Sequence, residues 1–279
     1  MMLWLASCLV LALAIGWWKR SRVRSTRREK LLGATPLPEN VLEHLRRTVP
    51  VYARLEPGLR GRVDGKFNVF LAEKSFVGCK DVVVSDELRW TIAGHACLLL
   101  AGRDDDWVYD DLSEILIHPL TWRREDSISL GDGLEIREPW AAFDGESWTN
   151  GPVILSRGAV RRSVRDLDGY NVVFHEFAHQ LDAENGAMEG CPVLPNSLKG
   201  DWARVMGFEY DRLVREEREG IETFLDPYGA EHPSEFYAVS VESFLEIPHE
   251  LKAHHPEMFD AMVRAFGFDP STGLPARTP

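Results

Sequence analysis

Three observations on this 279-residue chain predict an α+β fold. Helical periodicity and short branched-aliphatic runs are segregated along it, with the strands gathered between two helical regions rather than alternating with helices. A stretch free of glycine and proline, Val172 to Glu184, reads as a helix rich in histidine and acidic residues. Beyond residue 31 no linker divides the chain, and an apolar content of 44 % can fill one core.

The chain opens on Met1 to Trp18, which contains no charged side chain, and Lys19, Arg20, Arg22, Arg24, Arg27, Arg28 and Lys30 come directly after it. An uncharged stretch of that length just suffices to cross a bilayer. A cleaved signal would carry its basic residues before the apolar run, whereas here Gly16-Trp17-Trp18 ends it in the manner of interfacial aromatics. The expectation is a transmembrane anchor over residues 1–18, a basic flank and linker over 19–39, and a single domain over 40–279. A buried core helix is the competing reading for the first segment. Positive charge stays on the cytoplasmic side, so the domain is expected at the inner membrane, facing the cytoplasm.

The net charge of −12 includes that basic cluster, so the remainder is more acidic than the total. With no basic stripe interleaved with aromatics, nucleic acid is excluded as a partner. Cys8, Cys79, Cys97 and Cys191 form no CxxC pair and read as ordinary buried thiols.

Val41 to Arg47 reads as a helix, with another inside Val51 to Arg62. Phe67, Val69, Phe70 and Phe76 point to strand or extended structure over Gly65 to Val77. Ser85 caps an apolar helix through Ala101, in which His95 is structural. Leu112 to Ile117 and Pro152 to Leu155 read as strands, and Asp126 to Glu138 as a hairpin about Gly131-Asp132-Gly133. From Ser197 to Phe266 the pattern is mostly helical.

The central helix contains His175-Glu176-Phe177-Ala178-His179, which fits HExxH. In that pattern two histidines one turn apart hold zinc and the glutamate moves protons. Asn171 can cap the helix and Gly186 sits where it would end. Phe174, Phe177, Ala178 and Leu181 make an apolar stripe, leaving His175, His179 and Asp182 on another face. Asp182 is either a partner for an imidazole nitrogen or a solvated acid.

A catalytic zinc site needs a third protein ligand and an open position. The metzincin pattern requires glycine and histidine where this chain has Asp182 and Asn185, so that class is excluded. Ser234 to Leu245 supplies two glutamates on one helical face, Glu235 and Glu242. One can ligate while the other orients a histidine.

FLAEKSF, IAGHACLLL, GPVILS, HEFAHQLD and Tyr228 seven residues before Glu235 together resemble the Mlc titration factor A (MtfA) family of zinc peptidases, over about residues 35–265. The HEFAHQLD and Tyr-x6-Glu pair is also similar to lethal-factor-type metalloproteases. The resemblance implies a zincin-like, gluzincin-type metallopeptidase domain. It makes His175, His179 and Glu235 the zinc ligands, Glu176 the general base and Tyr228 a transition-state hydroxyl, with Glu242 behind a ligand. It implies hydrolysis of a peptide or protein substrate by water activated at the metal, with trimming of amino termini among the activities, and a transcriptional repressor as a family partner. It also implies that the strand Gly151 to Ser156 borders the cleft, where a peptide could add to its edge, although an internal strand fits the sequence as well. The anchor departs from the soluble family members. A repressor-sequestering protein with structural zinc is the alternative; a periplasmic hydrolase would require the opposite topology.

Overall fold

A computed structural model describes residues 25–119, 122–123, 127–130, 134–137, 142–143, 145–147 and 151–273. The apolar stretch 1–18 lies outside them, and no helix among the described residues is long and apolar enough to cross a membrane.

The described chain begins in a helix, α1, which runs through residue 32. It is joined firmly to the body of the domain: Arg28, 7 % exposed, donates to both oxygens of Asp110 and to Glu73. The basic flank expected before the domain is therefore partly docked on it, and among its described residues only 33–38 lack regular structure. Then come α2 (Glu39–Thr48), α3 (Pro50–Arg54) and α4 (Pro57–Glu73).

Helix α4 corrects the extended structure expected over Gly65 to Val77, of which only β1 (Ser75–Gly78) is strand. Val63 to Phe67, Val69 and Phe70 are all buried, including Asp64 and Lys66. With core on several sides, α4 shows no polar face, so the helical period is erased from its sequence. Its two buried charges are partnered. Asp64 accepts from the Tyr52 hydroxyl at 2.6 Å, and the Lys66 ammonium donates to the Asp105 carbonyl at 2.9 Å.

Helix α5 (Asp86–Leu98) begins as expected, with the Ser85 hydroxyl accepting from Leu88 N–H. Strands β2 (Glu114–His118), β3 (Trp122–Arg123), β4 (Ser127–Leu130), β5 (Leu134–Arg137), β6 (Ala142–Phe143), β7 (Gly145–Ser147) and β8 (Val153–Ser156) come next. Strands β4 and β5 pair antiparallel in the register Leu130 to Leu134, the expected hairpin; its Gly131-Asp132-Gly133 turn lies outside the described residues.

One four-stranded sheet runs in the order β1, β2, β8, β7. Its first three strands are parallel, and β7 closes it antiparallel to β8 in the register Glu146 to Ile154. The strand expected to offer an edge to the cleft, Gly151 to Ser156, is thus internal, because β7 occupies that edge. Val153 and Leu155 are fully buried, as central parallel strands require.

The second half is helical: α6 (Arg157–Arg165), α7 (Val172–Asp182), α8 (Asn196–Glu219), α9 (Pro233–Glu246), α10 (Pro248–His254) and α11 (Pro256–Phe266). Helix α7 lies between the sheet, α5 and α9. It buries Val172, Val173, Phe174, Phe177, Ala178 and Leu181, and the larger of these side chains contribute roughly 1.5–3 kcal/mol each. Phe177 meets Phe70 and Tyr109 edge-on or tilted, at ring separations of 5.6 and 4.9 Å. The apolar stripe of α7 thereby anchors it in the core and leaves its histidine face toward α9. Cys79, Cys97 and Cys191 are free thiols.

Candidate metal centre

Helix α7 starts because Asn171 Oδ1 accepts the N–H groups of Val173 and Phe174, two donors that no preceding turn could satisfy. After Asp182 a short 3-10 turn, Ala183–Asn185, leads into Gly186 at φ +83°, a left-handed conformation in which a side chain would be strained. Helix α9 starts on Pro233, whose missing N–H costs nothing at that position, with His232 Nδ1 accepting from Ser234 N–H.

The two helices bring His175, His179 and Glu235 together, with one ligand atom from each lying within 4.8 Å of the others. His175 Nε2 is 3.0 Å from Glu235 Oε2 and 3.2 Å from His179 Nε2, and the third side, His179 to Glu235, is 3.3 Å. Tetrahedral ligands about 2 Å from zinc lie roughly 3.3 Å apart, so this triangle has the size of one face of such a site. Two imidazoles and a carboxylate are also a donor set that zinc takes with one position left open.

Glu242, two turns beyond Glu235 on α9, accepts from His175 Nδ1 at 2.8 Å. In the neutral imidazole that a metal ligand must be, that contact keeps the proton on Nδ1 and leaves the Nε2 lone pair for a cation held with Glu235 and His179. Its other oxygen accepts the main-chain N–H of Asn171. Burial disfavours charge on His175, yet the carboxylates of Glu242 and Glu235 hold its imidazole well above the ordinary range. Glu235 is opposed by burial in the same way, but the two imidazoles hold it well below the usual carboxylate range.

Glu176 takes no part in the hydrogen bonds that join this triangle. It is 4 % exposed, and its Oε2 is buried without a hydrogen-bond partner among the described residues. Burial lifts its carboxyl to about 7, while the two histidines pull it down. An orphaned carboxylate oxygen beside three converging donors is chemically explicable where water and a cation complete the site.

Tyr228 lies in a short 3-10 turn, Pro227–Ala230, capped by Asp226, and its ring is 6.1 Å from that of His175. At 42 % exposure it lies at the surface rather than in the core. Burial of part of the ring and the charge of Glu235 raise its hydroxyl above the ordinary value, so it stays a hydrogen-bond donor at neutral pH.

Asp182 takes neither role foreseen for it. It is 1 % exposed and accepts the main-chain N–H groups of Glu189, Gly190 and Cys191, at 3.3, 2.8 and 2.8 Å. His179 Nδ1 remains buried without a partner among the described residues. The loop that Asp182 gathers meets the start of α9 at Gly190, where an added Cβ would come within 2.3 Å of the Pro233 carbonyl. Asp182 thus ties the end of α7 to the turn that delivers Glu235. Its partners are backbone amides in a loop, which no residue pattern announces.

Family comparison extends over nearly the whole described chain. The model of the glucose-regulated metallo-peptidase M90 family matches residues 23–267. An uncharacterized protein of a Synechocystis strain is 37 % identical over 248 residues, covering 87 % of this chain and 89 % of its own. Mlc titration factor A of Escherichia fergusonii is 28 % identical over 229 residues, 80 % of this chain and 84 % of its own. That of Klebsiella pneumoniae is 28 % identical over 231 residues, with the same coverage. The chain therefore belongs to the glucose-regulated metallo-peptidase family that includes Mlc titration factor A.

Proposed function

We propose that this chain is a zinc-dependent peptidase held at the cytoplasmic face of the inner membrane by residues 1–18, and that it acts on the amino termini of peptides. The observation that carries the peptidase reading is the convergence of His175 Nε2, His179 Nε2 and Glu235 Oε2 beside the buried, unpartnered Glu176 oxygen. The anchor rests on the uncharged stretch Met1 to Trp18 and the basic cluster after it.

In this reading His175, His179 and Glu235 hold zinc, with Glu242 fixing the tautomer of His175. Zinc, when bound, polarises the substrate carbonyl and brings the pKa of water near neutrality. Glu176 accepts the proton of the attacking water and passes it to the leaving amine. The Tyr228 hydroxyl donates a hydrogen bond to the oxygen on which negative charge develops. The edge of β7, beside α7, offers backbone groups that could align an extended peptide.

Mlc titration factor A relatives bear a name that describes titration of Mlc, and a repressor partner for this chain is proposed on that likeness alone. To separate catalysis from sequestration, the full chain and Glu176→Gln would be purified in mild detergent. Zinc content and cleavage of alanine-type aminopeptidase substrates and a mixed peptide library would then be measured. Zinc is expected in both proteins, with kcat lower in the variant by on the order of 10²–10⁴. Zinc in both with cleavage by neither would transfer the reading to a binding protein.

A further inference from the structure

Asn171 does more than start α7. It is fully buried, and capping occupies only its Oδ1. Its main-chain N–H donates to Glu242, the residue whose other oxygen faces His175 Nδ1. Its side-chain amide donates to Glu246 Oε1 at 2.7 Å, one turn further along α9. Glu246 is itself 7 % exposed, and a carboxylate buried to that degree must be given donors.

Serine or aspartate caps a helix about as well as asparagine, but neither carries an amide. The cap therefore does not explain the asparagine; the α9 contact does. Glu242 and Glu246 lie on one face of α9, so a single residue at the head of α7 grips two successive turns of the neighbouring helix. At the opposite end of the same helix pair, the loop held by Asp182 meets Pro233. Helix α9 is thus fixed at both ends, with Glu235 near one grip and Glu242 beside the other.

We propose that Asn171 and Glu246 are a positioning pair. Their hydrogen bond holds α9 in the axial register at which Glu242 reaches His175 Nδ1 and Glu235 meets both imidazoles. The inference rests on the reading of His175, His179 and Glu235 as zinc ligands. It adds two residues that touch neither metal nor substrate yet set how tightly the metal is held.

Zinc alone is the probe, titrated into the metal-stripped full chain against a chromophoric chelator, with the visible spectrum of the cobalt-loaded protein as a second readout of ligand geometry. Asn171→Ser keeps the cap and removes the amide; its zinc affinity is expected to fall about tenfold or more, as for other partners placed behind a ligand. Glu246→Ala leaves the cap whole and should weaken zinc binding in the same direction, which covers the case of an Asn171 variant that does not fold. Asn171→Asp sets two carboxylates against each other and should also weaken binding. Adding Glu246→Gln to it restores a donor and an acceptor with their roles exchanged, at unchanged total charge, and should return both affinity and the cobalt spectrum toward wild type.

Wild-type zinc affinity in Asn171→Ser and Glu246→Ala would overturn the pair, as would a double variant no better than Asn171→Asp. A wild-type chain that takes up no zinc would instead overturn the ligand assignment on which the pair depends.

Discussion

Two histidines sit on neighbouring helices, His95 buried on α5 and His175 half-buried on α7, and their surroundings drive them in opposite directions. His95 is 1 % exposed; its Nδ1 lies 2.8 Å from the Thr91 carbonyl one turn earlier, and its ring packs 4.9 Å from that of Phe174. Burial pushes it down to about 4, so it is a neutral core residue. His175 is less enclosed, its side chain 14 % exposed, and Glu242 and Glu235 face its two nitrogens and raise it. Burial alone therefore does not make a histidine functional or structural. The deciding residues are carboxylates supplied by α9, which comes after α7 only beyond another long helix.

The largest effect expected from this contrast is loss of the metal. His175→Ala should reduce zinc in the desalted protein to background, since removal of a direct ligand exceeds the roughly 10–100-fold cost of losing an outer partner. Elemental analysis of the purified variant decides it, and near-stoichiometric zinc would remove His175 from the ligand set.

The second effect belongs to the core histidine and appears as a pH dependence of stability. Its value near 4 in the folded protein lies below the value of about 6.5 for an unperturbed histidine. Between those two limits the unfolded chain carries a proton that the folded chain refuses, so stability rises with pH there. The contribution is complete above about pH 6.5 and is lost as pH falls toward 4, amounting to about 3 kcal/mol. Urea unfolding of wild type and His95→Gln across this range should show the wild type losing that much more stability than the variant. Parallel profiles for the two proteins would mean that His95 keeps an ordinary affinity for protons inside the fold.

The same contrast shows how far the sequence could be read. His175, His179 and Glu176 were legible because HExxH is local: one helical turn sets the spacing, Asn171 and Gly186 mark the ends, and the apolar stripe fixes which face is buried. Glu235 and Glu242 were legible as a pair on one face, while the choice between them came from family resemblance. Serine at position 85 likewise announced α5. Helix α4 was not legible, because burial around Asp64, Lys66 and Phe67 leaves no polar face, and its phenylalanines and valines match strand preference in isolation. The internal position of β8 depends on β7 pairing beside it, a tertiary fact. Contacts such as Asn171 to Glu246 and Asp182 to the 189–191 amides join residues whose types would suit many other partners.

The smallest expected effect is the sharpest test of how separate the two histidines are. His95 touches the residue immediately before His175 in sequence, so a core change there has a short route to the site. Successive residues of a helix, however, point about 100° apart, and Phe174 belongs to the apolar stripe while His175 faces α9. The orientation of His175 is set from that other side by Glu242. His95→Gln should therefore leave zinc affinity at neutral pH within about twofold of wild type, as for sites that share no hydrogen-bonding partner. Chelator competition on the two proteins measures this directly. A tenfold change would show that α7 transmits packing strain from the core to its ligand face, and the metal centre would then have to be regarded as coupled to α5.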